Sequence, residues 1–263
     1  MCRTFRVATT IILFLISSFS NAESIVGGWS GSNLGQAQGT VAFTFFSNGK
    51  YMLADMGNSS LDPSGQNGME FGTYSWNSST GAFAYNTLIN TDGQWGMSNS
   101  GTTNIQISGG SMTVTTSDGT ATLSKVSKQA NPLIGSWYVS NAGQAHGNVV
   151  ITFLDNGTYM LSDKGNSNLD PSGQDGMEYG TYSWNSSTGD FSYTTIVNTD
   201  GQWGLSDASV NAMQLNGNVL TVHASDGSVD FARVTAVPEP ASFALLSVAF
   251  AGLVNSRRKA RLA

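Results

Sequence analysis

Between residues 41 and 126 the chain runs as short apolar or alternating stretches broken by turns rich in glycine and asparagine, which is the pattern of β-strands. Val41-Ala-Phe-Thr-Phe-Phe46 reads as a strand. Asn48-Gly49 turns it back into Tyr51-Met-Leu53, since Asn-Gly suits the positive φ angles of a tight hairpin. Residues 70–76 alternate, Asn77-Ser-Ser-Thr-Gly81 supplies a turn, and Phe83-Ala-Tyr85 follows. Further strands are predicted at 94–97, 104–107, 112–116 and 120–126, and no stretch carries a helical period. Eight or nine strands in consecutive hairpins favour an all-β, antiparallel up-and-down meander, which removes exposed edges by closing into a barrel. A β-sandwich is the structural alternative.

The same pattern then recurs without a gap. Trp29 matches Trp137, Tyr51 matches Tyr159, Trp76 matches Trp184, Trp95 matches Trp203, and Asp118-Gly119 matches Asp226-Gly227, every pair 108 residues apart. Residues 69–81 and 177–189 differ only at Phe71/Tyr179. So long a period is a whole small domain, because solenoid units repeat every ~20 to 50 residues. Two tandem β-domains are therefore expected, at 24–129 and 132–236, joined by Lys128-Gln-Ala-Asn-Pro132.

The two ends differ from this body. Arg3 and Arg6 precede an apolar run from Val7 to Phe19, and Ser20-Asn21-Ala22 offers small residues, which reads as a secretory signal peptide (1–22), a signal helix cleaved after Ala22. The single cysteine, Cys2, goes with it, so the exported protein is expected to have no disulfide. At the other end Val237-Pro238-Glu239-Pro240 leads into an uncharged apolar run, 241–254, and then into the basic residues Arg257, Arg258, Lys259 and Arg261. As a short hydrophobic helix that run would reach only ~21 Å, less than a ~30 Å hydrocarbon core. The positive charges beyond it favour a cytoplasmic end.

That order of motif, hydrophobic segment and basic tail (237–263) resembles the PEP-CTERM sorting signal of Gram-negative bacteria. The resemblance implies recognition by an exosortase-type sorting protease, transient insertion in the inner membrane, and residence at the cell surface or in the exopolysaccharide matrix. A plain C-terminal membrane anchor is the alternative. Setting both ends aside changes the charge: the whole chain is −6, whereas 23–239 holds five basic and 17 acidic residues, a net of −12. So acidic a body disfavours nucleic acid and anionic lipid as partners. The openings Gly27-Gly-Trp29 and Gly135-Ser-Trp137, with the Asn-Gly-x-Tyr hairpin and the Gly-Thr-Tyr strand, resemble lipocalin-like and avidin-like barrels, implying a ligand-sized barrel.

Three candidate sites follow. The loop containing Asn168, Asp170, Ser172, Asp175 and Glu178, with counterparts Asp62, Ser64 and Glu70, is rich in the hard oxygen ligands and glycines that suit calcium. Its opening matches an EF-hand loop, but Glu178 falls one position short of the bidentate glutamate, so a polar turn loop is the competing reading. Trp95 beside Asp92 and Gln94, with Trp203 beside Asp200 and Gln202, could stack on a sugar ring while the polar groups bond its hydroxyls. Alternatively these tryptophans pack over a barrel end. Trp29 and Trp137 are expected in the core. For catalysis the sequence offers little: His146 and His223 have no histidine counterpart in the first copy, and no hydrolase, zinc or nucleotide motif is present. The pairs Asp62/Glu70 and Asp170/Glu178 are the remaining candidates for glycoside hydrolysis. The expectation is an exported, non-enzymatic binding or structural protein that contacts polysaccharide or a small ligand. A secreted polysaccharide hydrolase and a purely structural matrix protein are the alternatives.

Overall fold

The computed structural model describes residues 23–31, 41–57, 65–93, 96–117, 119–127, 131–139, 149–165, 173–201, 204–225 and 227–236. The signal helix and the C-terminal hydrophobic helix lie outside them. In the first copy the strands are β1 (Gly27–Gly31), β2 (Val41–Phe45), β3 (Lys50–Asp55), β4 (Gly68–Trp76), β5 (Phe83–Asn90), β6 (Asn104–Ser108), β7 (Ser111–Thr116) and β8 (Gly119–Val126), with a single-turn helix α1 (Met97–Ser100) before β6. The second copy repeats this as β9 (Gly135–Val139), β10 (Val149–Phe153), β11 (Thr158–Asp163), β12 (Gly176–Trp184), β13 (Phe191–Asn198), α2 (Leu205–Ala208), β14 (Ala212–Asn216), β15 (Val219–Ala224) and β16 (Gly227–Arg233).

Each copy is one continuous antiparallel sheet in the order β5-β4-β3-β2-β1-β8-β7-β6, matched by β13-β12-β11-β10-β9-β16-β15-β14. The predicted meander is therefore present, curled into a partial barrel rather than split into the two sheets of a sandwich. First and last strands pair along Gly28↔Val126 to Gly31↔Leu123. The terminal strands β5 and β6 meet at one bridge, Ala82↔Asn104, flanked by Phe83 N–H to Thr103 O (2.9 Å) and Ile105 N–H to Gly81 O (2.8 Å). Trp76 reaches across the same seam and donates its indole N–H to Ile105 O at 2.9 Å, as Trp184 does to Met213 O.

Two sequence expectations change locally. Of the strand predicted at 94–97, residues 94–95 lie outside the described residues and Met97 opens α1 instead, for a reason that emerges at the candidate site. In the Asn-Gly hairpin only Gly49 takes a positive φ (78°), because Asn48 instead uses its side-chain oxygen to accept from Lys50 N–H at 3.1 Å. The result is a longer loop than the two-residue turn predicted.

The interior of each partial barrel is filled by its own side chains. In the first copy these include Trp29, Phe43, Phe45, Tyr51, Leu53, Phe83, Met97, Ile105 and Met112. Trp29 and Trp137 are fully buried, as expected. Their indole N–H groups donate to Ile25 O and Leu133 O at 2.8 Å. A cation from the last strand lies over each ring: Lys125 Nζ at 5.0 Å over Trp29, and the Arg233 guanidinium at 4.0 Å over Trp137.

A third cluster joins the copies. The outward residues Ala42, Phe46, Met52, Ala54, Met69 and Phe71 pack with Val150, Met160, Met177 and Val234. β1, β3 and β4 contact their own counterparts β9, β11 and β12. A face that packs on its own equivalent defines a twofold relation, so the repeats form an internal pseudodimer. Phe46 meets Tyr138 edge-to-face at 5.9 Å, and Lys164 of the second copy sits 4.9 Å over Phe71 of the first.

Candidate functional site

The chemistry gathers at one end of each partial barrel, where β4 begins and the segment after β5 folds back. Glu70 points inward from β4 opposite Leu53, and is fully buried. Its carboxylate is committed: Oε2 accepts from Met97 N–H at 3.0 Å and from Tyr51 Oη at 3.3 Å, while Oε1 accepts from Ser98 N–H at 2.9 Å. Tyr51 Oη also bonds Thr87 Oγ1 at 2.6 Å. The first two amides of α1 would otherwise lack acceptors, and this carboxylate caps them. That explains why the chain turns into helix at Met97 instead of continuing as a strand.

The second copy repeats the arrangement. Glu178 accepts from Leu205 N–H (3.0 Å), Ser206 N–H (2.9 Å) and Tyr159 Oη (3.5 Å), and Tyr159 bonds Thr195 at 2.7 Å. Burial raises the pKa of both glutamates above the ordinary value of 4.5, against the opposing pull of their N–H and O–H donors. Burial also raises Tyr51 and Tyr159, helped by the neighbouring glutamate charge. Desolvation alone pushes Tyr74 up to about 12.

Asp92 and Asp200 share this pocket of charge and are fully buried as well. A Cβ on Gly96 would stand 2.7 Å from both Asp92 Oδ2 and Glu70 Oε1, and one on Gly204 would stand 2.6 Å from Glu178 Oε1 and 2.9 Å from Asp200 Oδ2. Both glycines also take positive φ (88° and 93°), so only glycine fits between the carboxylates. The segment is tied from its other side too. Asn90 accepts from Asp92 N–H at 3.0 Å and donates to Ser98 Oγ at 2.7 Å, and Asn198 does the same with Asp200 and Ser206.

Measured against the sequence expectations, Glu70 and Glu178, read as candidate calcium ligands, have both carboxylate oxygens hydrogen-bonded to the first amides of α1 and α2. Asp175 stands just before β12, partly buried. Asp62, Ser64, Asn168, Asp170 and Ser172 lie outside the described residues, as do Gln94, Trp95, Gln202 and Trp203. Among the described residues no group of three or more His, Cys, Asp or Glu could hold a metal ion. Asp92 and Asp200, expected to contact ligand hydroxyls, are fully buried, with their carboxylates close against Gly96 and Gly204. Sequence reasoning missed Tyr51, Thr87, Asp55 and Asp163 at this end of the barrel. Asp55 and Asp163 are fully buried, and the inward parity of 51, 53 and 55 was the available signal.

Taken together the chain is an all-β pseudodimer followed by a separate C-terminal signal. Residues 236–259 match the family model of the PEP-CTERM protein-sorting motif. This is a PEP-CTERM protein, exported to the envelope or surface of a Gram-negative bacterium, and its motif is the substrate signal that an exosortase recognises. The match spans Pro238-Glu239-Pro240, the apolar run and the basic residues through Lys259. No helix among the described residues is long and apolar enough to cross a membrane. No curated protein matches the sequence. Among solved structures the chain aligns with the DNA polymerase III beta chain of Streptococcus pneumoniae TIGR4 at 7% identity, covering 83% of this chain and 59% of that one. The TM-score of 0.14 carries no structural or functional argument.

Proposed function

We propose that this protein is a non-enzymatic surface or matrix module whose two matched segments, 91–98 and 199–206, present Gln94-Trp95 and Gln202-Trp203 to exopolysaccharide. The observation that carries this reading is the double anchoring of each segment. Asn90 and Glu70 hold Asp92, Met97 and Ser98 on either side of Gln94-Trp95, and Asn198 and Glu178 do so for Asp200, Leu205 and Ser206 in the second copy. A binding pair held at both ends loses less entropy on contact than one in a free loop. The filled barrel interior favours contact at this rim over a lipocalin-like ligand inside. The commitment of both glutamate oxygens to N–H and O–H donors supports binding over hydrolysis. The −12 body fits a neutral or cation-bridged polysaccharide better than a bare polyanion.

A glycan array probed with the purified chain tests the reading. Binding to polysaccharide that is lost in Trp95→Ala plus Trp203→Ala supports it. Binding unchanged by that double substitution, or absent throughout, returns the tryptophans to packing. Release of reducing sugars from the organism's own polysaccharide would favour the hydrolase instead.

A further inference from the structure

The joined faces of the two repeats differ at several counterpart positions, and one of these differences falls where β1 and β9 meet. Gly28 of β1 and its counterpart Ser136 of β9 lie against each other there. A Cβ built on Gly28 would fall 2.0 Å from Ser136 Oγ and 3.1 Å from Ser136 Cβ. There is room for one side chain, and the second copy supplies it. The single hydroxyl then serves both copies. Thr44 of β2 donates to Ser136 Oγ at 3.2 Å, and Thr152, the counterpart of Thr44, shares a 2.8 Å bond with the same oxygen. All three side chains are buried.

We propose that this glycine–serine difference is a pairing code. It commits the first copy to join a second copy, and it disfavours like-with-like pairing of the apolar faces between chains. Two first copies would bring Gly28 against Gly28 and leave two buried threonine hydroxyls without their bridging oxygen. Two second copies would force two serine side chains into the space of one. Only the unlike pair fills the space and satisfies both threonines, and the partner selected is the second copy within the same chain. In the surrounding cluster Met52/Met160 and Met69/Met177 are identical and cannot make that choice, while Ala42/Val150 and Phe46/Leu154 differ in size but leave no buried hydroxyl unmet.

Three variants of the full exported chain test the code: Gly28→Ser, Ser136→Gly, and the exchange Gly28→Ser/Ser136→Gly. Each is followed by light scattering after size exclusion and by hydrogen exchange at Phe46 and Val234, which flank the seam. Gly28→Ser is expected to raise exchange at these two amides at least tenfold and to produce concentration-dependent oligomers as the faces come free. Ser136→Gly should raise exchange by a smaller factor. The exchanged chain carries the same two residues on opposite sides, and should return to a monomer with protection within threefold of the parent. Because it contains both substitutions, its recovery also shows that neither prevents folding. An exchanged chain as open as the sum of the single variants, or a Gly28→Ser chain with parental protection, overturns the proposal.

Discussion

Replacing Glu70 and Glu178 by glutamine probes the capped segment directly. Each carboxylate accepts two backbone N–H bonds and one tyrosine hydroxyl. Glutamine has one acceptor oxygen. If it takes the Oε2 position, the amide nitrogen faces Ser98 N–H, and two donors oppose each other in a buried space. A buried donor left unmet costs about 1–3 kcal/mol. Part of that is offset, because burial of the native carboxylate is itself unfavourable, as its raised pKa shows. The expected net loss at neutral pH is about 1–2 kcal/mol per copy. The pH dependence is the sharper test. With a raised folded-state pKa, the native glutamate holds its proton after the unfolded one has released it near 4.5. The folded state then binds more protons, so the contribution is full below 4.5 and is lost as pH rises through the raised value. Urea unfolding from about pH 4.5 to about pH 8 should show parental stability declining across the lower part of that window, and a flatter curve for Glu70→Gln/Glu178→Gln. The general self-repulsion of the acidic body also favours lower pH, but the double variant leaves nearly all of that in place, so the difference between the two curves isolates the glutamates. Faster exchange at the Met97 and Ser98 amides should accompany the change. Identical slopes with unchanged amide protection would refute the capping account.

Two further outcomes follow from the packing. Arg233→Met should destabilise more than Lys125→Met. Both remove a cation over tryptophan, worth about 0.5–2 kcal/mol, but Arg233 also donates to Ile134 O and Pro132 O, whereas Lys125 makes one 3.3 Å bond to Ser24 O. Comparing their urea midpoints at equal slope checks the order. Phe46→Ala removes a buried ring from the seam between copies and should cost about 3–5 kcal/mol, with loss of a single shared unfolding transition. Calorimetry resolving two separate transitions is the expected result, and one unsplit transition at the parental midpoint would count against the seam as a coupling element.

The meander was legible because its signals are local: alternation along β4 and β5, turns at Asn77 and Ser117, and a repeat that let each strand be read twice. The joined faces were legible only in part. β2 and β3 are buried on both sides, and their near-continuous apolar runs, Val41 to Phe46 and Tyr51 to Ala54, carried that information. By contrast β5 alternates cleanly, as a strand with one face in solvent should. What the apolar runs could not say was which surface covers them. α1 was read as a strand because its helix is set by Glu70, 27 residues earlier in the chain, and no local propensity encodes that bond. The same distance hid the burial of Asp92. Its neighbours in sequence suggest a sugar site, while in space its carboxylate lies close to Gly96, beside Glu70.

The sorting signal and the body meet more closely than either suggests alone. Val234 is buried in the cluster between the copies, and its N–H donates to Ser136 O at 2.9 Å. The family match begins at residue 236. Pro238 lies four residue steps beyond Val234, a reach of at most ~14 Å even when fully extended. The residue whose hydroxyl bridges the two threonines therefore also holds, through its carbonyl, the last strand's exit toward the signal. A sorting enzyme that grips Pro238-Glu239-Pro240 must work within that reach of the paired copies. Because that bond continues the pairing of β16 with β9 inside the second copy, the signal keeps its place on the second copy whether or not the first is packed against it.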